Sequence, residues 1–116
     1  MTIAVFAAQA GDAADPAQIA AGKSLAEAAC SACHKVGPGQ PQPGAGEAGK
    51  DRVKGPSFTR IARDRRNDGL YLHSFIKFPH YPMRDLSLSE GQIDSLVAYI
   101  LSLRKKASPK PAAEAQ

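Results

Sequence analysis

Two cysteines, the only two in the chain, stand two residues apart and are followed at once by histidine: Cys30-Ser31-Ala32-Cys33-His34. This is the spacing of covalent c-type haem attachment. The two thiols add across vinyl groups on one edge of a porphyrin, and the next residue then lies beneath the ring, where its imidazole reaches iron. A chain so tethered must fold around a flat, largely apolar disc, which excludes most architectures.

Two other readings use the same five residues. A structural zinc site needs four protein ligands, normally from a second Cys or His pair. His73 and His80 are the remaining histidines, and they lie too far apart for such a pair. A redox dithiol would follow a strand in a βαβ pattern, and no alternating strand pattern precedes Cys30. Haem attachment is the reading that the context supports.

At 116 residues the chain is long enough for one small domain. Leu, Ile, Val and Phe are few and tryptophan is absent, so a covalently held porphyrin would supply apolar volume that the side chains lack. No apolar run approaches the roughly 20 residues of a membrane-spanning helix. The formal net charge is +4. Such an excess suits an acidic docking partner or is an ordinary solvated surface.

Residues 1–14 read as the remnant of a secretory signal or as a disordered tail: Ile3 to Phe6 are apolar and Ala8-Gln9-Ala10 has the form of a signal-peptidase site, but the basic start is missing. Export fits covalent haem attachment, which in bacteria takes place outside the cytoplasmic membrane, so a periplasmic location is expected. A first helix is predicted from Asp15-Pro16-Ala17-Gln18, a cap, a first-turn proline and a capping-box glutamine. It runs to about Ala29 and delivers Cys30 from its last turn. Between Val36 and Lys54 glycine and proline are too dense for periodic structure, and the loop is long enough to wrap one edge of a haem.

A short helical turn follows Gly55-Pro56-Ser57-Phe58. Asn67 or Asp68 can cap a helix over 69–77 that Pro79 ends, and Leu70, Tyr71, Leu72, Phe75 and Ile76 supply its apolar surface. His80-Tyr81-Pro82-Met83-Arg84 is predicted extended, because proline disfavours helix at the residue before it. The last helix starts at Ser89 with Gln92 as its capping-box partner, and places Ile93, Leu96, Val97, Ile100 and Leu103 on one face. It ends at Arg104-Lys105-Lys106, cations suited to a helix C-terminus. The tail from Ser108 is rich in Pro and Ala and reads as disordered. The expected division is therefore 1–14 tail, 15–106 domain and 107–116 tail.

With His34 on one side of the iron, the sixth position needs a ligand. Met83 is the only methionine besides Met1. A thioether there raises the reduction potential and closes the iron to substrates, which points to electron transfer. Met83 as a plain core residue, His80 as the ligand, and more remotely His73 remain the alternatives.

These residues make the chain resemble the class I monohaem cytochromes c of bacteria. The likeness spans about 17–104 and rests on Cys30 to His34, Gly55-Pro56-Ser57-Phe58, Met83, and Leu88-Ser89-Glu90 leading to Leu96-Val97-Ala98-Tyr99-Ile100. The resemblance implies an all-α fold of three main helices plus loops around one covalently attached haem c. It implies a crossing of the first and last helices at Gly22 and near Tyr99. It also implies that the Pro56 carbonyl accepts a hydrogen bond from the far nitrogen of His34. Ala26 stands where the family has an aromatic residue, and proline precedes Met83 where the family commonly has it after. The arginine that meets a haem propionate falls among Arg63, Arg65 and Arg66.

The expected haem-binding set is thus Cys30, Cys33, His34, Met83 and Pro56, with His34 and Met83 on the metal. The expected function is an electron carrier rather than an enzyme, a monomer with redox protein partners and no nucleic acid. Lys35, Lys54 and Arg84 are expected near the exposed edge. A bound electron-accepting subunit of a periplasmic dehydrogenase is the nearest alternative, and a gas sensor or peroxidase with an opening sixth position is the third.

Overall fold

The computed structural model describes residues 15–40, 54–78 and 80–107, without the side chains of 105–107. Most of the Gly/Pro-rich loop, Pro79, the expected 1–14 tail and the expected 107–116 tail apart from Ala107, which closes the last helix, lie outside the described residues. Four helices and no strand occur among them: α1 (Pro16–Ala29), α2 (Phe58–Arg63), α3 (Gly69–Lys77) and α4 (Glu90–Ala107). The all-α expectation is met, with α2 as a short addition to three longer helices.

Each helix begins where a short polar side chain satisfies an amide that the first turn leaves unpaired. The Asp15 carboxylate accepts from Ala17 N at 3.0 Å, Ser57 Oγ from Arg60 N at 3.2 Å, and Asp68 from Tyr71 N at 2.8 Å. At α4 the capping box is reciprocal: Ser89 Oγ accepts from Gln92 N at 3.1 Å, and Gln92 Oε1 accepts from Ser89 N at 2.9 Å. No corresponding Gln18 bond occurs among the described residues, and Asp15 caps α1 alone.

The apolar face of α4 forms the centre of the core. Ile93, Leu96, Val97, Ile100 and Leu103 are all buried, as their spacing predicted, and Tyr99 joins them. Helix α4 packs against each of the other three, and among the described residues no other pair of helices packs together. Its crossing with α1 is close because Gly22 has no side chain: a Cβ there would sit 2.8 Å from Tyr99 Cβ and collide with the Ser95 carbonyl. Ala26, one turn on, is fully buried. The small residues of α1 therefore set the helix separation, and the Tyr99 hydroxyl spans the joint to donate to the Val36 carbonyl.

The segment expected to be extended before α4 is a tight turn. Its amide from Met83 donates to the His80 carbonyl, and the Tyr81–Pro82 peptide is cis. A cis proline at the third position closes a four-residue turn, whereas the sequence argument considered proline only in its trans, helix-disfavouring role.

Candidate functional site

Helix α1 ends at Cys30, whose amide donates to Ala26 O at 2.9 Å, and the next turn is carried on by Cys33 and His34 amides that both donate to Cys30 O. The motif is thus a continuation of the helix, which holds the two sulfurs and the imidazole in fixed relation. Cys30 is buried and Cys33 exposed. Burial, with Cys33 beside it, pushes the Cys30 thiol up to about 11, so it is neutral at ordinary pH. Conversion to a thioether leaves the site uncharged.

Residues 55–58 are pinned alongside the motif by two backbone bonds: Gly55 N donates to Cys33 O at 2.7 Å and Phe58 N to Lys35 O at 2.9 Å. This brings Pro56 O to 2.7 Å from His34 Nδ1. A carbonyl only accepts, so Nδ1 carries the proton and Nε2 presents its lone pair. Phe58, with its ring centroid 5.3 Å from that of His34, supports the imidazole from another side. Gly55 closes the cradle, since a Cβ on it would lie 2.6 Å from Nδ1 and 2.8 Å from Nε2. Gly55 was part of a quoted motif, but the sequence assigned it no role.

A cavity of about 480 Å³ opens beside this cradle, within the usual range for a cofactor site of about 300–1,000 Å³. Cys30, Cys33, His34, Pro56 and Met83 all line it. Phe58, Leu72, Leu96 and Ile100 give it an apolar floor. Two thiols, one oriented imidazole nitrogen and one thioether facing an apolar slot fit a covalently attached haem. The zinc alternative has no such support: among the described residues no group of three or more His, Cys, Asp or Glu converges.

The remaining expectations divide. Lys54 and Arg84 line the cavity and Lys35 does not. None of Arg63, Arg65 and Arg66 lines it. Arg66 is engaged by Asp64 at 2.7 Å, an exposed pair whose hydrogen bonds bring the Asp64 carboxyl down to about 2. His80 shares the cavity with Met83. His73 is elsewhere, its ring nitrogens 2.6 Å from Glu90 Oε2 and 3.0 Å from Asp94 Oδ1 on α4. Lys77 completes that cluster at 2.6 Å from Glu90 Oε1, and side-chain hydrogen bonds, from Lys77 first and then His73, hold the Glu90 carboxyl below its ordinary range.

The family model of cytochrome c matches residues 19–104, and the chain belongs to the cytochrome c family. It is a class I-like monohaem member, an electron-transfer protein whose cofactor is covalently attached haem c. No curated protein and no solved structure matches the chain.

Proposed function

We propose that this chain is a periplasmic carrier of single electrons, with residues 15–106 as the working domain, Cys30 and Cys33 as the attachment points, and His34 and Met83 as the two axial ligands. The observation that carries the reading is the single cavity that gathers all four side chains. Bound haem c supplies a one-electron couple at its iron. The chain's own residues do the rest. Pro56 fixes the His34 tautomer, and a ring so held keeps its nitrogen aimed. Met83, a soft thioether, would favour the reduced state of the bound iron and leave no coordination position free for a substrate. The floor of Phe58, Leu72, Leu96 and Ile100 excludes water. No bond chemistry on a substrate is assigned to the protein.

Lys54 and Arg84 line the cavity, and both are exposed. They suit a redox partner with an acidic docking face. Reaction with such a partner should slow as salt rises, and a rate indifferent to salt would remove the charge-docking element while leaving the carrier.

The test of the axial pair is an absorption spectrum of the haem-loaded protein in both redox states. The oxidised form should carry a far-red charge-transfer band that Met83→Ala abolishes. Persistence of the band in that variant would overturn Met83 as ligand.

A further inference from the structure

Two side chains in the cavity can offer a sixth ligand, Met83 and His80, and they sit at the two ends of one tight turn. Their chemistries differ in a way that matters. Imidazole nitrogen suits oxidised iron, thioether sulfur suits reduced iron, and exchange of one for the other lowers the potential. The Met83 ligation proposed above therefore requires something that keeps His80 away from the metal.

The structure places one restraint on that ring. The His80 imidazole lies flat against Phe75, with centroids 4.2 Å apart and planes at 14°. Phe75 is itself held in a second stack with Tyr71, one turn earlier on α3, at 6.0 Å and 28°. Tyr71, Phe75 and His80 thus form a short aromatic pile along the cavity-lining side of α3. Among the described residues no hydrogen bond to the His80 ring accompanies the stack. Parallel contact between rings at this spacing is favourable and directional. It fixes the plane of the imidazole, in which the lone pair of a ring nitrogen lies, so for His80 to turn that lone pair in any other direction the contact with Phe75 must be given up.

We infer that Phe75 is a positioning residue that selects the sixth ligand: by stacking on His80 it withholds that imidazole from iron and leaves the position to Met83. The inference rests on the His34 and Met83 reading above. Loss of the stack would free the His80 imidazole to take the place of the Met83 thioether at the iron, one ligand exchanged for another with no change in electron count.

The experiment compares haem-loaded wild type, Phe75→Leu, Phe75→Tyr, and the double variant Phe75→Leu with His80→Ala, reading the far-red band of the oxidised form and the midpoint potential. Phe75→Leu should lose most of the band and shift to lower potential. Phe75→Tyr, which keeps a flat ring, should retain both properties. The double variant should recover the band, because the competitor is gone. An unchanged band and potential in Phe75→Leu would overturn the inference. So would loss of the band in both Phe75→Leu and the double variant, since Met83 would then have been displaced without His80. If Phe75→Leu fails to hold haem, Phe75→Ile, which fills the slot without a ring and adds no possible ligand, is read in its place and carries the same expectation. Failure of the underlying reading looks different: wild type would lack the band, or Met83→Ala would retain it.

Discussion

A methyl group added at Gly55 would meet the His34 ring on three of its atoms, and the ring has little room to yield. Pro56 O holds Nδ1 and Phe58 backs the imidazole. Gly55→Ala should therefore turn the imidazole or push the 55–58 segment away, and so weaken the iron ligation proposed for His34. Overpacking of this kind costs about 1–3 kcal/mol. The expected outcome is a haem-loaded variant with a lowered unfolding midpoint and an altered spectrum in the Soret region, measured against wild type. Ser57→Ala serves as a control, because it removes only the α2 cap and leaves the ring alone. The cysteines and His34 were legible as chemistry from five letters, because attachment fixes their spacing. Gly55 was not, because its role depends on a neighbour 21 positions away in the chain. His73 was legible only as a lone histidine on an otherwise apolar helix; the Glu90 and Asp94 partners that engage it lie on another helix.

The helices themselves were readable almost to the residue, since caps and apolar spacing are local signals: Asp15, Asp68 and the Ser89/Gln92 box all act where they were expected. What the sequence did not disclose is how the helices are joined. Arg104 was read as a cation for the end of its own helix. Instead its guanidinium donates to three backbone carbonyls beyond it, Ala62 at 2.6 Å, Asn67 at 3.1 Å and Asp64 at 3.5 Å. It thereby ties the end of α2 and the turn after it to α4. These carbonyls lie 37 to 42 positions earlier, beyond any local pattern. A charged hydrogen bond contributes about 1.5–3 kcal/mol, and this one is partly exposed. Arg104→Met, which keeps most of the aliphatic stem, should cost about 2 kcal/mol in denaturant unfolding of the haem-loaded protein. Arg104→Lys should recover only part of that, because one ammonium cannot present the flat fork that reaches several acceptors.

For the molecule as a whole, the described helices meet only through α4 and around the cavity. The turn at His80 to Met83 is the one segment whose shape was expected wrongly, and it is also the segment that carries both candidate sixth ligands. A proline that closes a turn in the cis form and a proline that merely interrupts a helix look alike in one sequence. The arrangement of helices around α4 also bears on the order in which the protein can be made. Helix α4 begins some 60 residues after the attachment motif, and among the described residues α1, α2 and α3 have no shared partner until it docks. Cys30 is buried in the folded chain, so a chain whose α4 has not yet docked would offer both thiols to the attachment step more openly than the finished fold does. A chain ending at Ser89 should accept haem at both cysteines yet give a far-ultraviolet helix signal well below the share owed to α1, α2 and α3; a full share would mean that those helices assemble without α4. Maturation would thus run from chemistry to shape, with the last-made helix acting as the latch.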